Sequence, residues 1–195
     1  MIKCKQDYLD FLEADRKALF IESGMISNVK ECLKYNLVWR FQKLLRKCEY
    51  YKNVGSKISV FHKLYYLILK RKLIKLSLQL GFSIPENVFG RGLAIVHYGT
   101  IVVNPRAKIG SNCRIHVDVV IGESGGKVGA PIIGNNVYIG PGSKIYGKIE
   151  IADNCAISAN SVLNKSFFNE GMLIAGNPAV EIKEIEISQI IKHLK

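Results

Sequence analysis

No apolar run of about 18 residues occurs anywhere in the sequence, which excludes a membrane-spanning helix of ordinary length. The opening MIKCKQDYLDFLEADRK has charges spread through it and no apolar core ahead of a cleavage site, so it does not read as a signal peptide. Cysteine pairing is also missing. Cys4, Cys32, Cys48, Cys113 and Cys155 are odd in number and widely scattered, with no C-x-x-C pair and no close histidine to complete a zinc set. They are expected to be reduced thiols of a cytoplasmic protein. Acidic residues are scarce, 16 Asp+Glu against 28 Lys+Arg, for a formal charge of +12 over 195 residues. That excess points towards nucleic acid, a membrane surface or anionic small molecules. A content of 48% hydrophobic and 23% charged residues excludes a disordered tail, a collagen-like chain and a disulfide-dense miniprotein.

The charge is concentrated at the front. Residues 1–81 hold 17 basic and 7 acidic side chains, a balance of +10, which leaves +2 for residues 82–195. Between Arg40 and Lys75 there are 11 basic residues and one acid, Glu49. This front half reads as helix. From Val29, apolar residues at Cys32, Leu33, Leu37, Phe41, Leu44, Leu45 and Cys48 form one stripe at helical spacing, with Ser27 as a candidate N-cap and Asn53-Val54-Gly55 as a stop. A second helix is predicted from Ser59 to Gly81, and a shorter one around Tyr8 to Phe20.

At Gly81 the period changes. Every sixth residue from 133 is aliphatic: Ile133, Ile139, Ile145, Ile151, Ile157 and Leu163. The same phase runs backward through Ile121, Ile115, Ile109 and Val103, and its one poor member is Lys127. A helix cannot keep a period of six on one face and a simple strand alternates with a period of two. An aliphatic every six residues therefore implies short flat segments separated by turns, stacked so that the column forms a continuous core. The predicted fold is mainly β, a solenoid from roughly residue 84 to 165. Domains are expected at 1–81 (basic, α-helical), 82–180 (the solenoid) and 181–195 (a tail).

The hexads IGSNCR, IGNNVY, IGPGSK and IADNCA resemble those of the hexapeptide-repeat transferases. The ordered series GRGLAIVHYGTIVVNPRAKIG, GESGGKVGAPIIG, NNVYIGPGSKIYGKIEIADNCAISANSVL and AGNPAVEI is similar to the serine acetyltransferase-like branch, over about residues 82–182. The resemblance implies a left-handed parallel β-helix assembled as a homotrimer, acetyl-CoA as co-substrate, and acyl transfer to a hydroxyl. It implies a catalytic histidine at His97, which would take the acceptor's proton as general base and return one to the leaving thiolate. His116, one coil away, and Tyr98 are candidates for acceptor binding; for His116 an ordinary structural role stays open, as does a turn role for Asp118. With eighteen residues per coil, position 97 is expected to stack near 115. His62 and His193 read as surface residues. The coenzyme would lie along the small residues Gly122, Gly140, Gly142, Ser143 and Ala159, with Lys144 and Lys165 at its phosphates and the Ala175-Gly176-Asn177-Pro178 loop at its adenine end. No metal is expected, because His97 and His116 lack a third ligand within the solenoid.

The resemblance breaks at three positions. The branch holds its amino-acid acceptor with an acid fifteen residues before the catalytic histidine, an acid immediately before it, and a histidine after the irregular loop, where this chain has Phe82, Val96 and Ala130. From that departure the expected activity is a sugar O-acetyltransferase of bacterial surface-polysaccharide assembly. Serine O-acetylation and a non-catalytic β-helix are the alternatives. The basic front beside Leu64–Leu69 is read either as a peripheral contact with the inner membrane or as packing on the β-helix or another subunit. Nucleic acid is not an expected partner, since no base-stacking platform or recognition helix pair is visible.

Overall fold

The computed structural model describes residues 1–22, 36–55, 59–126 and 128–194. Among the described residues three helices precede a three-faced parallel solenoid: α1 (Lys5–Ala18), α2 (Leu37–Asn53) and α3 (Val60–Leu80). The expected Ser27 cap and the first turns from Val29 lie outside the described residues. The described helix α2 starts at Leu37, where the Asn36 side chain accepts from the Trp39 N–H. Ser59 caps α3 through the Phe61 N–H, and Gly81 ends it in the left-handed region at φ 78°.

The hexads form three sheets. A five-stranded sheet carries Phe82–Ser83, Ile101–Val103, Val119–Gly122, Lys144–Tyr146 and Val162–Leu163. A three-stranded sheet carries Lys108–Ile109, Ile132–Ile133 and Glu150–Ile151. The six-stranded sheet carries Ala94–Ile95, Arg114–Ile115, Tyr138–Ile139, Ala156–Ile157, Met172–Gly176 and Ala179–Glu184, with only the last strand antiparallel. The aliphatic column points inward throughout: Ile115, Ile121, Ile139, Ile145, Ile157 and Leu163 are fully buried. Turns between hexads are made by asparagines and glycines with positive φ. Asn112, Asn136 and Asn154 stack as a hydrogen-bonded ladder at 2.9 Å per step.

Two departures from an eighteen-residue register bear on the site. Ile109, Ile115 and Ile121 pair with Ile133, Ile139 and Ile145, 24 residues on, so one hexad leaves the stack after Gly122 and the chain re-enters at Ile132. The column's poor member, Lys127, belongs to that extra hexad and lies outside the described residues. The other is in the first coil. Ile95 pairs with Ile115 and Ile101 with Val119, so the corner Val96–Thr100 has five residues where His116–Asp118 below it has three.

The first coil exposes backbone groups that no earlier coil can pair, and helix side chains take that role. Gln42 donates to the Leu93 carbonyl at 2.7 Å and accepts from the Ile95 N–H at 3.1 Å. Fully buried Arg46 donates to the carbonyls of Phe89 and Gly90, and to Asp15 and Glu49. Those two acids in turn accept the N–H groups of Leu93 and Asn87. At the other end the segment after Glu184 folds back, and Ile187 and Ile191 bury against Ala156. One hydrophobic cluster runs from Phe41 and Leu45 through the solenoid to Ile174.

Removing one member of a buried charge group strands the others. Arg46→Ala is expected to lower unfolding free energy by about 3–5 kcal/mol in urea titration; a loss of under about 1 kcal/mol would show that the cluster carries little.

Candidate active site

The long corner Val96–Thr100 is where the candidate residues begin. The Val96 N–H donates to the Ile115 carbonyl at 3.1 Å, and the Gly99 N–H donates to the Leu80 carbonyl, at the end of α3, at 2.8 Å. These two bonds bracket His97 and Tyr98. Gly99 sits at φ 125°, and a Cβ there would lie 2.4 Å from Val117 Cγ2, so the corner requires glycine at this point. Both His97 and Tyr98 project to the surface, Tyr98 with 73% exposure. The His97 ring makes no hydrogen bond or ion pair among the described residues.

The two extra corner residues alter the predicted stacking. Position 115 lies beside Ile95, and it is His116 that approaches His97, with ring centroids 6.2 Å apart. Tyr138 follows on the other side of His116 at 5.1 Å, giving an aromatic run across adjacent coils. The His116 Nε2 is enclosed and without a partner. Burial, reinforced by Arg114 and His97, pushes its imidazole down to about 4. It is thus held neutral near pH 7, able to offer a hydrogen bond without a charge. The half-buried Arg114, whose charge acts on His116 and also on His193, lines a cavity of about 200 Å³ with Ile95, Val96 and Phe20. It forms no ion pair among the described residues.

Most of the other candidates fall on the same edge, between the six- and five-stranded sheets. Beneath His116 come Gly140, Gly142 and Ser143, then Ala159; Gly176 joins them at the bottom, its N–H 3.3 Å from Ser161 Oγ. From the His97 coil to the Gly176 coil there are four steps, roughly 19 Å at the spacing of stacked strands. Some of these residues already have structural work. A Cβ on Gly140 would meet Ala159 N at 2.7 Å, one on Gly142 would meet Asn160 Oδ1 at 2.0 Å, and the Ser143 hydroxyl is taken by the carbonyls of Gly140 and Ser158. Lys144 is paired with Asp118 at 2.9 Å, so the expected phosphate lysine serves here as a partner for that corner aspartate.

Gly122 and Lys165 stand apart, at the far end of the five-stranded sheet's strands. A Cβ on Gly122 would meet nothing within 4 Å, so its own chain does not require glycine there. Lys165 is exposed, 5.7 Å above the Phe167 ring. His62 and His193, read as surface residues, have buried ring nitrogens without a partner, Nδ1 alone in His62 and both in His193; His62 stacks on Tyr51, and His193 lies edge-on to Phe20. Arg114 and Tyr138 escaped the sequence reading. Their only signal is that both hold the residue before an inward isoleucine of the same sheet, a position that faces outward beside the histidines. Among the described residues no three His, Cys, Asp or Glu side chains are grouped to hold a metal ion, and no helix is long and apolar enough to cross a membrane.

Residues 130–165 match the family described as bacterial transferase hexapeptide (six repeats). The chain is 36% identical over 81 residues to the serine acetyltransferase of Synechococcus elongatus, covering 40% of this chain and 33% of that one. It is 34% identical over 106 residues to the serine acetyltransferase of Helicobacter pylori strain 26695, covering 52% and 62%. The chain thus spans less than two thirds of the length of these curated relatives. The crystal structure of serine acetyltransferase in complex with coenzyme A from Brucella abortus superposes with a TM-score of 0.72 at 25% identity, covering 93% of this chain and 70% of that one. The repeat and this likeness together make the solenoid a left-handed β-helix.

The sugar acceptor and polysaccharide setting expected from Phe82, Val96 and Ala130 are overturned by these relatives, which are named for serine. The structure shows why the departure misled. Phe82 is buried edge-on to Phe41 at 5.0 Å and Ala130 is buried too, so both positions serve the core and their apolar character does not describe an acceptor.

The depressed His116 gives a pH signature. The unfolded chain takes up a proton near 6.5 that the folded chain refuses until about 4, so folding loses stability as pH falls through that window. His116→Gln is expected to flatten the wild-type acid slope between those values by on the order of 1 kcal/mol, after discounting for the half-exposed ring. Thermal melts across the window check this, and identical slopes would contradict it.

Proposed function

We propose that this chain is an acetyl-CoA-dependent serine O-acetyltransferase with His97 as general base. The observation that carries the proposal is the exposed His97 at the head of a solenoid edge, beside an enclosed, neutral His116, in a chain whose relatives are serine acetyltransferases. Acetyl-CoA supplies the activated thioester. His97 accepts the proton of the serine hydroxyl as its oxygen attacks the acetyl carbonyl, and returns a proton to the departing sulfur. His116 contributes a neutral imidazole that orients the acceptor or the His97 ring without opposing charge on His97. Tyr98, exposed next to His97, is available to contact the acceptor.

Two features at the opposite end of the five-stranded sheet's strands from the His97 edge are open to the far end of the coenzyme. Gly122 leaves open space that its own chain does not need, and Lys165 is an exposed cation at the same end of the sheet. Gly140, Gly142, Ser143 and Ala159 keep the edge smooth, so a ligand can run close to backbone along it. Gly176 closes the edge at the bottom, and Lys144 holds the Asp118 corner.

The amino acid's carboxylate needs a cation, and Phe82, Val96 and Ala130 provide none. Arg114 is the side chain we assign to it, because it is unpaired among the described residues and its charge reaches His116.

Thiol release from acetyl-CoA on adding serine tests the proposal. His97→Ala is expected to lower kcat by about 10²-fold or more, and Arg114→Gln to raise the KM for serine about tenfold with a smaller change in kcat. Wild-type protein that releases no thiol with serine, or a His97 variant that keeps full rate, would overturn the assignment.

A further inference from the structure

The helical layer contains a cavity that the acyl-transfer reading does not use. It measures about 630 Å³, within the range of small-molecule sites. Arg40, Lys43 and Lys47 line it from one stripe of α2, at spacings of three and four, and Lys72, Lys75 and Gln79 line it from one stripe of α3 at the same spacings. Tyr8 of α1 and Tyr65 close the sides over an apolar floor that includes Leu69 and Leu76. No acidic side chain lines the cavity among the described residues. Like charges at these helical spacings oppose one another, and two such rows facing a common hollow add repulsion across it. Lys47 is partly settled, its Nζ 3.0 Å from the Tyr65 hydroxyl and above that ring, but a neutral phenol does not offset a charge.

We infer that this cavity is a binding site for a soluble small molecule carrying an oligophosphate, with the lysines and Arg40 taking the phosphate oxygens and Gln79 and the tyrosine hydroxyls completing the hydrogen bonds. An oligophosphate carries several charges in a compact body, which matches five cations around a concave hollow better than a single carboxylate does. The shape also separates this ligand from a bilayer. Of the exposed apolar residues of α3, Val60, Leu67, Ile74 and Leu78 are turned about 90° or more from the Lys72, Lys75 and Gln79 stripe, whereas Phe61, Leu64 and Ile68 lie on or beside it, at 3.6 residues per turn. A flat bilayer would be met by the Val60, Leu67, Ile74 and Leu78 side or by the rim, whereas the cations line a hollow between two helices that a compact soluble anion enters. The site shares no residue with the His97 edge, so its test is independent of the proposed reaction.

The test is calorimetric titration of the full chain with tripolyphosphate at low salt, beside sedimentation with vesicles of phosphatidylglycerol. Lys72 and Lys75 are exposed, so Lys72→Gln with Lys75→Gln is expected to fold, with a melting temperature equal to or slightly above that of the parent at low salt as the repulsion is relieved. Saturable binding of one tripolyphosphate per chain, weakened about tenfold in the double variant and weakened further by salt, supports the site. Absence of binding, equal binding by the variant, or binding to vesicles alone would each overturn it.

Discussion

A stack of coils has two open ends, and the structure depends on how the first of them is closed. The opening coil presents backbone N–H and C=O groups that in every later coil are met by the coil before. An unpaired buried amide or carbonyl costs about 1–3 kcal/mol, and a row of them would fray the stack or recruit another chain. Here Gln42, Arg46, Glu49 and Asp15 serve as a surrogate coil, reaching Phe89, Gly90, Leu93, Ile95 and the Asn87 N–H from the helical layer. Arg46 stays charged without solvent because two carboxylates and two carbonyls surround it. The polar cluster is thus a substitute for strand pairing, built on the buried faces of two helices.

The same closure positions the site. His97 lies two residues beyond Ile95, whose N–H Gln42 holds, and two before Gly99, which the end of α3 holds through Leu80. An exposed corner of five residues would otherwise be free to move at the top of the stack. Below it the corners are short, and Gly140 and Gly142 are fixed by contact with the next coil, so the edge is rigid and low. The result is an exposed imidazole at one end of a narrow track, the arrangement that the proposed transfer from a long thioester to a small hydroxyl acceptor requires.

The hexad column was legible because each aliphatic occupies the same place in an identical environment, and Ser59 and Gly81 were legible because capping chemistry is local. The two extra residues before Ile101 were hidden: Phe89, Ile95 and Ile101 keep one six-residue phase, Val103, Ile109 and Ile115 keep another, and both phases point inward on the shared strand. That concealed shift is why His116, and not position 115, meets His97. The surrogate coil was illegible for a different reason. Gln42, Arg46 and Glu49 look like the wet side of a helix until a solenoid end is placed against them. Phe82 and Ala130 show the converse error, in which the lack of a polar group was taken to describe a substrate although the residues present belong to the core. His97 was singled out as a candidate by its motif, whereas proposing Arg114 depended on knowing which outward positions stack beside it.

The charge excess also resolves into separate parts. Arg46 is consumed in closing the first coil, Lys52 and Lys70 pair with Glu86, and a group of the remainder surrounds the hollow between the helices. The central claim, that helix side chains pair the first coil as a strand would, is tested most directly by native-state hydrogen exchange of the Leu93 and Ile95 amides. The account predicts exchange as slow as that of Ile121 and Ile139 in the middle of the stack, opening only with global unfolding. Exchange at Leu93 and Ile95 as fast as that of a solvent-exposed loop would contradict it.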